Sequence, residues 1–189
     1  MNKLVLFTGN QRKIAEAKVA FDEYDIAFEA LSADIDEIQH HDPTEIAKAK
    51  AKAAYDVVKK PLVINDSSWS IPALGGFPGG YMKDINQWFT ADDWLNLLRD
   101  KADKSIVLHE RTIYYNGDEM KIFERNQSGV FVDTPRGEWH EDMERIVSIH
   151  DGKTIAEDHD DEKAGADMKH VEHWREFAEW YAAKGRLTK

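Results

Sequence analysis

Residues 62–81 read LVINDSSWSIPALGGFPGGY. The opening apolar run predicts a short buried strand over 61–65 that stops at Asn65-Asp66-Ser67-Ser68. The chain then turns through two glycine pairs around Phe77-Pro78. A carboxylate at the C-terminal end of a strand stands where α/β sheets present residues to ligands. Asp66 can there hold Mg²⁺ or take a proton from water, with hydroxyls offered by Ser67 and Ser68. Gly75, Gly76, Gly79 and Gly80 would let backbone approach a ligand closely. The same letters also fit an Asx-type turn entering a glycine-rich surface loop.

On either side of this stretch, strand and helix patterns alternate. KLVLF (3–7) suits a buried strand, TGN a turn, and the apolar positions 14, 15, 17, 19, 20 and 21 a helix. IAFEALS (26–32) reads as a second strand. DPTEIAKAKAKAAYDVV (42–58) reads as a helix, with Asp42 or Thr44 as its cap and Pro43 in its first turn. Helical segments are expected across 85–101, with Asp92 as a cap. A hairpin over 105–129 turns near Asn116-Gly117, and a strand follows at 129–135. The charged run 157–163 reads as a loop, and 168–185 as an aromatic amphipathic helix ending at Gly185. These patterns predict an α/β protein with a mixed sheet and flanking helices.

Composition narrows the function classes. The 189 residues are 42% hydrophobic, enough for a real core, and carry a formal net charge of −11. A nucleic-acid backbone would be repelled by such a surface, so no nucleic-acid partner is expected. An anionic small molecule is not excluded, because a few lysines and a divalent cation can outweigh a diffuse field at one site. With no cysteine, disulfides, thiolate chemistry and cysteine-bound zinc are ruled out, and an intracellular setting is favoured. The N-terminal MNKLVLFTGN is too short for a signal-peptide core or a membrane span, so a cytoplasmic protein with no membrane partner is expected.

Two further stretches carry polar residues in suggestive order. In TGNQRK (8–13), a turn from strand to helix start would leave backbone N–H groups free for an anion, with Lys13 adding a point charge. The alternative is an ordinary strand–helix turn. In DEIQHHDPTEIAKAKAK (36–52), Lys48, Lys50 and Lys52 at spacing two spread over 200° of helical arc, so they cannot all face one site, and one can point inward while the others are solvated. His40 and His41 lack HxH or HxxxH spacing and read as a solvent-exposed pair with diverging side chains. His170 and His173, at spacing three, are expected to share a helix face. GxSxG, GxxxxGK[ST] and GxGxxG are all absent.

Together, TGNQRKIAE (8–16), DEIQHHDPTEIAKAKAKAA (36–54) and VINDSSWSIPALGGFPGGYMK (63–83) resemble the inosine triphosphate pyrophosphatase family. They stand in the family's order and spacing, and GVFVDTPRGE (129–138) extends the likeness more weakly. The resemblance implies an elongated single domain, two lobes around a central cleft, with a central mixed sheet. It implies Mg²⁺-dependent hydrolysis (or Mn²⁺ in its place) of a non-canonical purine NTP or dNTP to NMP and pyrophosphate by a homodimer. Residue by residue, Thr8, Gly9, Asn10 and Lys13 would grip the triphosphate, with Ser67 and Lys83 also on the substrate side. Glu37 and Asp66 would bind the metal or orient water, and Lys50 would neutralise phosphate charge.

Departures from the family pattern accompany these matches. Asn65 stands where members carry a second acid, and still offers a carbonyl oxygen to a metal or water. Phe-Gly-Tyr/Trp-Asp-Pro and Ser-His-Arg are replaced by GEWHEDMERIVS (137–148) and AGADMKHVEHW (164–174). Trp139 can replace the stacking aromatic, and Lys169 or His170 the residue that reads the purine keto group. A divergent, non-hydrolysing nucleotide-binding or regulatory protein, or a house-cleaning phosphohydrolase of altered base specificity, stands as the alternative.

Overall fold

The computed structural model describes residues 3–168 and 170–187. In chain order its elements are β1 (Leu4–Phe7), α1 (Gln11–Asp22), β2 (Phe28–Leu31), α2 (Pro43–Val58) and β3 (Leu62–Ser70). A 3₁₀ turn at Pro72–Leu74 leads to β4 (Pro78–Gly79), α3 (Met82–Ile85), α4 (Ala91–Leu98), β5 (Ser105–Tyr115) and β6 (Met120–Phe131). The chain closes with β7 (Val147–Ser148), α5 (Ile155–Lys163) and α6 (Glu172–Leu187). The strands follow the order β2-β1-β3-β5-β6-β7, with β4 on β3. β1 is parallel to β2 and β3, while β4 on β3 and β7 on β6 are antiparallel, so the sheet is mixed as expected.

Two compact units divide the chain: Met1–Asp66, Glu110–Arg125 and Met168–Lys189 form the first, Ser67–His109 and Asn126–Asp167 the second. In the first, strand alternation sorts side chains onto two covered faces. Leu4, Leu6, Val63 and Tyr114 pack with Ala17, Phe21, Trp174 and Phe177 of α1 and α6. Val5, Phe7, Leu62, Ile64 and Ile113 pack against Ala47, Ala51 and Ala54 of α2. Burial on both faces explains why β1 and the start of β3 are unbroken apolar runs. The small alanines, at spacings of four and three, let α2 lie close on the sheet. The second unit has its own core, including Trp69, Ile71, Trp94, Leu98, Ile106, Phe131 and Ile146.

Several local expectations change. β3 does not stop at Asn65-Asp66 but runs on to Ser70, because Ser68 and Trp69 are buried and continue the pleat. Helix α4 is capped by Thr90 rather than Asp92. The Thr90 hydroxyl accepts from the Asp93 N–H, and the Asp93 carboxylate accepts from the Thr90 N–H at 2.9 Å. The acidic run 157–163 is helix α5, not loop; Thr154 and Glu157 form its capping box, and Ala156 and His159 face inward. The hairpin turn is the four residues 116–119, where Asn116 Oδ1 accepts from the N–H groups of Asp118 and Glu119. α6 begins at Glu172, so His170 lies before it and shares no helix face with His173; the helix continues past Gly185. The His40 and His41 rings do not diverge but lie 4.3 Å apart.

Candidate functional site

Helix α2 starts where the sequence places it: Asp42 Oδ1 accepts the Thr44 N–H at 2.8 Å, and Pro43 needs no hydrogen-bond partner there. With Ala47, Ala51 and Ala54 turned to the sheet, Lys50 comes off the same helix beside them. Its Nζ lies 2.9 Å from Glu37 Oε1 and 3.5 Å from Asp66 Oδ1. Lys48 instead pairs with Glu45 at 2.7 Å and Lys52 is exposed, so Lys50 is the one of the three seen in the cluster. The side chains of Lys50, Glu37 and Asp66 are 24%, 28% and 21% exposed, partly desolvated yet open to a ligand. Burial by itself lowers the Lys50 pKa, but Asp66 and Glu37 outweigh it and hold the ammonium above the usual 10.5.

The β1–α1 turn supplies a second cation. Asn10 caps α1, and its Oδ1 accepts from the N–H groups of Arg12 at 2.9 Å and Lys13 at 3.3 Å. Two of the helix-start N–H groups expected to be free are therefore engaged, because asparagine is among the strongest N-caps. Thr8 Oγ1 accepts from the Asn10 N–H at 3.1 Å, and Gly9 is exposed between them. Lys13 Nζ donates to the main-chain oxygen of Asn65 at 3.0 Å. Burial lowers the pKa of Lys13; Asp66 opposes that shift and Lys50 reinforces it. Lys13, Lys50 and Asp66 thus act on one another in a single electrostatic cluster.

Alternation along β3 separates Asn65 from Asp66. Asp66 shares the α2 face with Ile64, whereas Asn65 shares the opposite face with Val63. The Asn65 amide is buried, and its Nδ2 donates to Thr112 Oγ1 at 3.3 Å. It is therefore part of the fold's interior and does not turn toward a metal or water beside Asp66, as the sequence reading allowed.

The remaining residues singled out in the sequence are distributed over the two units. His170 is exposed in the first unit, and Lys169 lies outside the described residues. In the second unit Ser67 and Lys83 are exposed. Trp139 is half-buried there and meets His159 edge-on at 4.7 Å. His159 Nδ1 faces Glu144 Oε2 at 3.2 Å, and the nearby Glu141 carboxyl is raised by burial and by Glu144. Ser70 Oγ, His109 and Asn126 form a row of 2.7 and 2.6 Å contacts across β3, β5 and β6. Ser70 sits on an extended strand rather than at a strand–helix elbow, so the row reads as cross-strand pairing. Sequence reasoning missed a linked polar set in the first unit: the buried Glu110 and Thr112 on β5 and His173 on α6, with the partly buried Arg12 and Glu16 on α1. Its one signal was His-Glu-Arg-Thr (109–112) interrupting an apolar strand.

Glu37 and Asp66 are hard oxygen donors converging on one point. Mg²⁺ commonly takes only one or two protein carboxylates and completes its shell with water and phosphate oxygens, so these residues fit it. No group of three or more His, Cys, Asp or Glu suited to a metal occurs among the described residues. Nor is any described helix long and apolar enough to cross a membrane.

The chain is similar to several known proteins. Inosine triphosphate pyrophosphatase 2 of Trypanosoma cruzi (strain CL Brener) is 30% identical over 165 residues, covering 86% of this chain and 84% of its own. The dITP/XTP pyrophosphatase of Saccharolobus solfataricus is 29% identical over 135 residues, covering 71% and 70%. A HAM1 protein from Coxiella burnetii has the same fold, with a TM-score of 0.74 at 22% identity over 99% of this chain and all of that one. The Ham1 family model itself matches residues 4–171, nearly the whole described chain, and so the chain belongs to the Ham1 family.

Proposed function

We propose that this chain is a nucleoside triphosphate pyrophosphatase, hydrolysing ITP, dITP or XTP to the monophosphate and pyrophosphate. The observation that carries this reading is the convergence of Glu37 and Asp66 on Lys50 Nζ, with Lys13 electrostatically coupled to the same group. The names of the two relatives supply the substrate class.

In this mechanism Lys13 and Lys50 meet the phosphate oxygens, and Thr8, Gly9 and Asn10 shape the turn beside them. Lys50 keeps its proton throughout, so it can stabilise charge that builds on the phosphate as the bond breaks. Asp66 and Glu37 orient a water and accept its proton. The water oxygen bonds to the α-phosphorus, the bond from that phosphorus to the bridging oxygen breaks, and pyrophosphate leaves with the electron pair. Mg²⁺ (or Mn²⁺), held by Glu37 and Asp66, would supply Lewis-acid neutralisation of the phosphate charge. No covalent protein nucleophile is required, since positioning and electrostatics carry most of phosphoryl transfer. The same reading takes the protein to be a cytoplasmic homodimer without a nucleic-acid partner, in keeping with its charge of −11.

A second reading, nucleotide binding without hydrolysis, draws on the inward-turned Asn65 amide, which leaves two acids at the cluster. One experiment separates the two. A panel of ITP, dITP, XTP, GTP, ATP and dUTP is assayed for pyrophosphate with Mg²⁺ or Mn²⁺. Pyrophosphatase activity is expected on the first three, at least about tenfold above ATP in kcat/KM. Tight binding of ITP with no pyrophosphate from any nucleotide would select the second reading.

A further inference from the structure

The two lysines of the site are held in different ways. Lys50 is ion-paired with two carboxylates, whereas Lys13 rests its ammonium on a neutral carbonyl, the main-chain oxygen of Asn65. A lysine tethered to a carbonyl is aimed without having its charge neutralised by a direct partner. What fixes that carbonyl, and the helix bearing Lys13, can be traced through hydrogen bonds and ion pairs to one buried residue, His173.

His173, 5% exposed on α6, reaches Lys13 by two routes. Through its backbone, its carbonyl accepts from Thr112 Oγ1 at 3.3 Å. Thr112 Oγ1 in turn accepts from Asn65 Nδ2 at 3.3 Å, and the Asn65 carbonyl holds Lys13. Through its ring, Nδ1 faces Glu110 Oε1 at 3.1 Å and Nε2 faces Glu16 Oε2 at 3.7 Å. Glu16 lies on α1 one turn beyond Lys13, and its other oxygen is 2.9 Å from Arg12 Nε. The contacts close a ring from α1 through β3, β5 and α6 back to α1. Burial works against ionising Glu16, yet the His173 contact and Arg12 hold its pKa below the usual value, which marks the ring as electrostatically engaged.

We propose that His173 is a positioning residue for phosphate binding, fixing the first turns of α1 and the Asn65 carbonyl so that Lys13 is pre-aimed. This rests on the reading of Lys13 as a phosphate-binding group. A lysine side chain otherwise loses rotamer freedom when it is fixed, and pre-organisation removes part of that cost from the binding step.

The test is a double-mutant cycle on kcat/KM for the most active nucleotide, with Lys13→Met, His173→Ala and the pair. His173→Ala is expected to lower kcat/KM roughly tenfold, mainly through KM, but by less than about twofold when Lys13 is already methionine. His173→Asn, whose amide can donate near the Nδ1 position, is expected to recover most of the loss; it replaces the alanine variant in the cycle if that one does not fold. Equal losses with and without Lys13 would overturn the proposal, leaving His173 a purely structural residue. If the wild-type protein releases no pyrophosphate from any nucleotide, the pyrophosphatase reading fails separately. The same cycle is then run on calorimetric binding of inorganic triphosphate, where non-additivity supports the proposal and additivity overturns it.

Discussion

Lys13 and Lys50 show how surroundings rather than residue type set a charge's behaviour. Burial makes Lys13 easier to deprotonate than a free lysine, while two carboxylates make Lys50 harder. Because the Lys13 pKa lies below 10.5, the cation is lost as pH rises through that lowered value, and kcat/KM should fall on an alkaline limb beginning below the ordinary lysine range. Arginine stays charged at that pH, so Lys13→Arg is expected to move the limb upward even if its geometry costs some affinity. Superimposable pH profiles for wild type and Lys13→Arg would place the limb on another group. Neither shift was legible from the sequence, since each depends on neighbours far along the chain. Lys13 meets Asn65, and Lys50 meets Glu37 and Asp66.

At the scale of elements, α2 is the part the sequence described best and on which the site leans most. The Asp42-Pro43 start follows from local chemistry and is seen, and the alanines of the body then lie on the sheet. Removing the cap with Asp42→Ala should cost about 1 kcal/mol and lower Tm by roughly 2–4 °C in thermal unfolding. The Thr44 N–H bond depresses the Asp42 pKa below 3.8, so this stabilisation is present above that value. It is lost as pH falls through the depressed one. The gap between wild type and Asp42→Ala should therefore close in strong acid; a gap that persists there would exclude the carboxylate–N–H bond as its origin. Less legible were α4 and α5. An aspartate inside the first turn of α4 mimics a cap until Thr90 is seen to hold the reciprocal bond. A run of acids in α5 looks like loop until its buried face, Ala156 and His159, is known.

Across the whole molecule, the sequence revealed the mixed α/β architecture because β1 and the start of β3 are apolar on both faces and the helices between them are locally well marked. The cluster of Lys13, Glu37, Lys50 and Asp66 was recognisable as three separated motifs whose meeting only the fold demonstrates. Asn65 was misjudged for a geometric reason: once β3 runs straight through to Ser70, neighbours 65 and 66 must face opposite sides. The pairing of Glu16, His173 and Glu110 was not legible, although His-Glu-Arg-Thr marks one member, because the three come from α1, α6 and β5 and no local pattern announces a pairing between such distant residues. We assign Glu37, Lys50 and Asp66 as the proposed hydrolytic centre. Its most direct test is steady-state pyrophosphate release from ITP by Lys50→Ala and Asp66→Asn, with far-ultraviolet circular dichroism confirming the fold. Each variant is expected to lose on the order of 10²–10³-fold in kcat while keeping wild-type secondary structure. Folded variants that turn over ITP at the wild-type rate would contradict the assignment.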